Sequence, residues 1–310
     1  MLPQHVRSSK LAIHRSLSYH AFTLYLFTCN NLKDIVILGY AFGVLGALSG
    51  PTLGFGAPKG LIYILYKTPA MLFWSWINLL LFNLHNQRHP EAIHEDAINK
   101  PWRPLPAGRL NPSEATTLMH AVYPIVLLSS AALGGLGPCL VEAFSCLWYN
   151  EWRGAESPVL KNLLNAAGFA CFLAGPLEIA TGGASVVAFP AALHWLAIIA
   201  VAIFFTVHTQ DLRDQAGDRM RLRQTLPLLI GDAPARWVVV VAVACCSCWA
   251  TAFWRLGVAA LAVPAGAGTL LVGNLLRKRT VGGDVMTWKL WPVWMASLFC
   301  LPLIKMHSGA

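Results

Sequence analysis

Asp211, Asp214 and Asp218 stand at i, i+3 and i+7 within DLRDQAGDRMRLRQTLPLLIG. On a helix that spacing stacks three carboxylates along one face. A second acidic group, Glu91, Glu95 and Asp96, lies in NQRHPEAIHEDAINKPWRPLPAGR, with Glu91 and Glu95 four residues apart. Like charges so arranged repel, and a hard divalent cation offsets the repulsion. Oxygen-only donors select magnesium or calcium over softer metals, and magnesium commonly completes its shell with substrate phosphates. The neighbouring bases suit a polyanion such as a diphosphate: Lys100, Arg103 and Arg109 beside the first group, Arg219, Arg221 and Arg223 beside the second. Either cluster alone reads most simply as a solvated loop of mixed charge. Together they hold six of the fourteen acids, at the ends of two distant apolar stretches, which scattered solvation does not produce.

The elements that must position these groups are membrane helices. The chain of 310 residues is 56% hydrophobic and 12% charged, against about 25% charged in soluble domains. Apolar runs of about 20 residues recur along its length, the length that crosses a bilayer as a helix. The expected fold is an all-α polytopic membrane protein with about nine transmembrane helices. The spans fall at 20–49, 60–86, 113–133, 136–150, 161–181, 187–208, 234–254, 257–275 and 286–306. The first is interrupted by NNLKD, and Asn111-Pro112-Ser113-Glu114 marks the start of the third. The domain plan is an N-terminal segment at 1–19 and one membrane domain at 20–310, with motif loops at 86–112 and 209–233.

Placing the N-terminus in the cytoplasm puts 18 of the 23 Lys and Arg residues, Arg7, Lys10 and Arg15 among them, in cytoplasmic segments. That is the positive-inside pattern. It puts both motif loops on the cytoplasmic face and explains the net charge of +9 without nucleic acid. No small-residue cleavage site follows the basic N-terminus, so the first span reads as an anchor. Most of the eight cysteines lie inside apolar spans, where they read as small buried side chains. Tyr149, Asn150 and Lys161 flank a short loop from which a phosphate is within reach. His194, His208, Asn162, Asn165, Glu178 and Lys67 lie in or beside spans, where ionisable residues are often functional; an interhelical hydrogen bond accounts for each asparagine as well as function does, and snorkelling to an interface accounts for Lys67. An apolar, aromatic wall is expected near the motif loops. Trp74, Trp76, Trp148, Trp195, Phe204 and Phe205 lie at suitable depth, although most aromatics of such a chain face lipid.

At the two loops the sequence resembles the UbiA superfamily of intramembrane prenyltransferases. DAINKPWRPLPAGRL is similar to the end of that family's first aspartate-rich motif, and DLRDQAGDRMRLRQTLPLLIG to its second. The resemblance implies that the helices are bundled around a central cavity open to the membrane, with two magnesium ions bridging the motifs to the diphosphate of an allylic isoprenoid. It makes Asp211, Asp214 and Asp218 ligands of one site. In the first motif the chain departs from the pattern. Alignment on Asn99-Lys100-Pro101 sets Asp96 at the last aspartate but Ala92 at the preceding one. A one-residue bulge near Pro90, the favoured register, instead brings Asn86 or Gln87, Glu91 and Glu95 into place. The resemblance then assigns metal binding to Glu91, Glu95, Asp96, Asp211, Asp214 and Asp218. It assigns diphosphate binding to Asn86, Gln87, Lys100, Arg103, Lys161 and Arg219. The glycine usual after the second motif's last aspartate is replaced by Leu222.

The altered first motif is most like a fungal branch that includes membrane-bound sesquiterpene cyclases of the bergamotene-forming type. The implied partners are an isoprenoid diphosphate and the bilayer, with an endomembrane such as the endoplasmic reticulum as location if the chain is fungal. Three readings compete. A terpene cyclase lets a double bond of farnesyl diphosphate attack the allylic cation, whereas a prenyltransferase offers it an aromatic or other acceptor. A transporter with cation-binding loops would need charges near the bilayer midplane, but the acids gather at one face.

Overall fold

The computed structural model describes residues 16–308. Arg7, Lys10, Arg15 and most of the expected 1–19 segment lie outside the described residues. Among the described residues the regular elements are all helical. The α-helices of eight or more residues begin with α1 (Leu17–Thr28), α2 (Leu38–Leu48), α3 (Leu61–Gln87), α4 (Pro90–Asn99), α5 (Pro112–Leu133), α6 (Leu136–Asn150) and α7 (Pro158–Ala180). Then come α8 (Pro190–Thr206), α9 (Asp211–Met220), α10 (Asp232–Phe253), α11 (Val258–Arg277), α12 (Val281–Phe299) and α13 (Leu301–Ser308).

Every stretch expected to span is helical, but fewer can be counted as crossings. Six helical stretches among the described residues are long and apolar enough to cross a membrane. A seventh is added if α1 and the Leu32–Leu48 stretch, bent by 70° at their break, form one span. That break falls where NNLKD interrupts the apolar run. The difference from nine arises in two places. α3 has the length, but Lys67, Asn78 and Asn83 lower its mean hydropathy, and α6 has only 15 residues.

Local sequence sets the helix starts that matter for the site. α5 opens with a reciprocal capping box. Glu114 N donates to Asn111 Oδ1 at 2.8 Å and Asn111 N to Glu114 Oε2 at 2.8 Å, with Pro112 at the first helical position. α7 starts at Pro158 behind a Ser157 cap. α3 ends at Gln87, and α4 restarts at Pro90 after an extended His89. The chain thus makes a full helix break where a one-residue bulge was expected, because Pro90 has no N–H to continue the α3 ladder.

α7 is the axial helix, packing against α2, α3, α6 and α8. It can sit so close to α2 because Gly39 and Gly43, one turn apart, meet it backbone to backbone. A Cβ at Gly39 would run into the Phe172 carbonyl, and one at Gly43 would lie 3.0 Å from the Pro176 carbonyl. Small residues at such seams let membrane helices gain dispersion contact in a medium where apolar burial alone drives little. The outer faces of the bundle carry exposed Ile62, Tyr66, Leu128, Val141, Trp237 and Leu270, as contact with lipid requires.

Candidate active site

The two motif elements are joined at their centre by the Asn99 side chain. Asn99, the last residue of α4, donates from Nδ2 to the Asp214 carbonyl at 3.1 Å and accepts from the Gly217 N–H at 3.2 Å. A Cβ at Gly217 would collide with the Asn99 amide, so α4 and α9 approach this closely only over a glycine. This contact brings the acids of one motif against the bases of the other. Lys100 Nζ reaches Asp214 Oδ2 at 2.9 Å, and Arg221 donates to Glu95 Oε2 at 2.9 Å. Arg223 lies 3.4 Å from Glu95, 3.9 Å from Asp218, and donates to the Tyr149 hydroxyl at 3.0 Å. From α7, Lys161 reaches Asp211 Oδ1 at 2.6 Å.

These groups form the mouth of a cavity of about 1000 Å³, part of it open to solvent. Glu95, Asp211, Asp214, Asp218, Lys100, Arg103, Lys161, Arg213 and Arg223 line the mouth. Behind them lie Asn83, Asn86, Ser145, Asn165 and Glu142 among apolar Ile35, Leu79, Phe82, Leu164, Phe169 and Phe172. Burial by itself would raise the pKa of Glu95, but the Arg223 charge and the Arg221 hydrogen bond hold it below the usual carboxylate range. Burial works against the Arg223 charge too, yet Tyr149, Glu95 and Asp218 hold it in the charged form.

Not every oxygen at the mouth is spoken for. Asp211 Oδ2 and Asp218 Oδ2 are buried with no hydrogen-bond partner. An unpaired buried carboxylate oxygen is costly, so its presence points to a ligand. Among the described residues no three His, Cys, Asp or Glu side chains converge tightly enough to hold an ion by themselves. An oxygen-only set with two open carboxylate oxygens, beside bases that fit phosphate, nevertheless suits magnesium, which takes few carboxylates and shares the rest of its shell with phosphate and water.

The structure brings eight of the expected residues to this cavity: Glu95, Asp211, Asp214, Asp218, Asn86, Lys100, Arg103 and Lys161. Four others lie elsewhere. Glu91 is exposed in the first turn of α4, beyond the contact with α9. Asp96 is buried but faces away, where both its oxygens accept from Arg103 Nη1 at 2.8 Å and so aim that guanidinium. Gln87 is buried against the Phe27 carbonyl and Asn83. Arg219 is exposed, and its guanidinium donates to Gln215. Tyr149 lines the cavity, whereas Asn150 accepts from Asn86 and fixes it there. The aromatic wall differs wholly from the expected one. Trp74 is wedged against Gly175, Trp195 stacks on Phe253, and Trp148 is on the outside, while Phe82, Phe169 and Phe172 form the wall. Sequence reasoning passed over Asn99, Arg213 and Glu142. For Glu142 the signal was there, a lone acid inside LVEAFSC.

The family model of UbiA prenyltransferases matches residues 92–298. The chain is 32% identical over 253 residues to the fumagillin beta-trans-bergamotene synthase of Aspergillus fumigatus, covering 80% of this chain and 77% of that one. It is 28% identical over 232 residues to a polyprenyl transferase of Hericium erinaceus, covering 71% and 73%. A UbiA homologue from Archaeoglobus fulgidus, solved bound to GPP and Mg2+, matches the fold with a TM-score of 0.58 at 13% identity, over 91% of this chain and 99% of that one.

Proposed function

This chain belongs to the UbiA prenyltransferase family, and from that premise we propose that it is a magnesium-dependent sesquiterpene cyclase acting on farnesyl diphosphate. The observation that carries the reading is the continuity of one cavity, from a mouth with open carboxylate oxygens and surplus bases to a chamber walled by Phe82, Phe169 and Phe172. Diphosphate chemistry needs the first part and an isoprenoid tail needs the second. The choice of cyclisation is supported by the similarity to the bergamotene synthase over most of both chains.

Asp211 and Asp218 would hold the metal through their open oxygens, with Asp214 and Glu95 completing the acidic set. Magnesium bound there would supply positive charge against the departing diphosphate. Lys100, Arg103, Lys161 and Arg223 would hold that diphosphate in place and stabilise the negative charge it gains, each such donor contributing about 10²–10³ in rate. Lys100 and Lys161 pair with Asp214 and Asp211 at 2.9 and 2.6 Å and line the same cavity, so a small side-chain movement carries either onto a phosphate oxygen. Asp96 keeps Arg103 directed without taking part itself. The phenylalanine faces would stabilise the allylic cation and exclude the water that would quench it. The motif loops would face the cytoplasm from an endomembrane such as the endoplasmic reticulum.

A second reading is supported by the similarity to the polyprenyl transferase: the same clamp would release the cation to an aromatic or other acceptor. Membranes bearing the protein, incubated with magnesium and farnesyl diphosphate and no acceptor, separate the two. Gas chromatography should detect a cyclic hydrocarbon. Farnesyl diphosphate consumed only when a phenolic acceptor is added would replace the cyclase with the transferase.

A further inference from the structure

Glu142 sits on the inner face of α6, one turn before Ser145 and Cys146, and all three line the chamber behind the mouth. It is only 4% exposed. Among the described residues its carboxyl group makes no hydrogen bond and no ion pair. The facing helix is shaped to receive it. A Cβ at Gly168 of α7 would lie 2.9 Å from Glu142 Oε2. On the same face of α7, Asn165 Nδ2 is buried without a partner, and Phe169 and Phe172 close the surroundings. An acid kept in such a place without a counter-charge destabilises the fold. The diphosphate end does not use it, since the bases of the mouth pair with Glu95, Asp211 and Asp214.

A transient positive charge in the chamber is the partner that Glu142 lacks. We propose that Glu142 is the base that ends the reaction by taking the last proton from the cyclised cation, an inference that rests on the cyclase reading above. Ionisation breaks the bond between the allylic carbon and the diphosphate oxygen, and the electron pair leaves with the diphosphate. Ring closure then moves the positive charge into the hydrocarbon. In the final step a C–H bond next to the cationic carbon breaks. Its electron pair becomes the new C=C bond, and the proton bonds to a carboxylate oxygen of Glu142. A cation and a carboxylate become a neutral alkene and a neutral acid, the direction that a poorly solvated chamber favours. The acid returns its proton to water at the mouth when the alkene leaves. Which neighbouring C–H faces Glu142 then decides which alkene isomer forms.

The test compares wild-type, Glu142→Gln and Glu142→Asp membranes with farnesyl diphosphate and magnesium, measuring both diphosphate released and hydrocarbon formed. Glu142→Gln keeps the shape but removes the base. It is expected to keep releasing diphosphate while hydrocarbon per diphosphate falls by about 100-fold, the size of a general-base effect, with farnesol-type alcohols appearing instead. Glu142→Asp should restore an alkene with a shifted isomer ratio. Unchanged hydrocarbon per diphosphate in Glu142→Gln overturns the proposal and leaves the cyclase reading intact. So does an equal fall in both quantities at normal protein level, which would make the residue structural. If Glu142→Gln does not accumulate in the membrane, Glu142→Asp decides: an unaltered isomer ratio overturns the proposal, and an altered one supports it. A wild-type enzyme that consumes farnesyl diphosphate only with an added acceptor removes the cyclase reading, and this proposal with it.

Discussion

Two clusters of acids and bases among the described residues are built to opposite rules. In the first, Arg236 of α10 is 1% exposed. It donates to both oxygens of Asp232, to both oxygens of Asp284 on α12, and to the Leu275 carbonyl on α11, all at 2.7–2.9 Å. Every one of these oxygens is used, and three helices are tied together. In the second, at the cavity mouth, Asp211 and Asp218 each keep a buried oxygen without a partner. The residue types are the same. What differs is satisfaction: a complete set of hydrogen bonds makes a fastening, and an incomplete one makes a place for something else.

Substitutions can break this contrast. Asp218→Ala or Asp214→Ala should lower turnover by more than about 1000-fold, as loss of an electrostatic clamp does, while the protein accumulates in the membrane at its normal level. Retained turnover in either variant, measured by diphosphate release, would falsify that residue's proposed place in the metal set. Arg236→Ala should do the reverse. Leaving Asp284 buried and unpaired destabilises by about 3–5 kcal/mol, so the variant should be scarce or melt early in detergent, and whatever survives should turn over normally. Poor activity in a well-folded Arg236→Ala protein would erase the distinction between the two clusters.

Smaller effects sharpen it. Glu95→Gln should slow turnover by about 10-fold or more, whereas Glu91→Gln, at an exposed position, should change it by less than about 2-fold. A deep loss in Glu91→Gln would restore the acid pair inferred from spacing. Glu95 also has a pH signature. Its pKa in the folded protein is held below the ordinary 4.5, so its contribution to stability is present above the unfolded value and is lost as pH falls through the folded one. The difference in melting temperature between wild type and Glu95→Gln should hold from pH 7 down to about 5 and shrink below that. The smallest effect belongs to Leu222, whose φ of 56° lies in the left-handed region where glycine is at ease. Leu222→Gly should relieve about 1 kcal/mol of strain and raise the melting temperature slightly. A clear drop would mean that the exposed leucine side chain makes contacts that outweigh its backbone.

Much of this was legible in the sequence, and the failures have physical causes. The second motif lies on one short helix, and helical spacing alone places Asp211, Asp214 and Asp218 on the cavity. The first motif spans a helix break. Spacing equated Glu91 with Glu95, but only the end of α4 that touches α9 is carried into the site. Asp96 and Gln87 were legible as polar and not as already engaged elsewhere, because their partners Arg103 and the Phe27 carbonyl are fixed by tertiary packing. The aromatic wall failed for a similar reason. Depth along a span could be estimated, but the side of the helix that faces the chamber depends on close packing such as that of Trp74 over Gly175.

The joint between Asn99 and Gly217 bears on any attempt to recombine this scaffold with a relative. The two positions are more than a hundred residues apart in the chain, yet each is shaped by the other. A chimera that swaps the front half for a sequence with a longer residue at 99, or the back half for one with alanine at 217, would force the lips of the pocket apart. Crossovers that transfer both positions from one parent should keep a working catalyst, and those that split them should not.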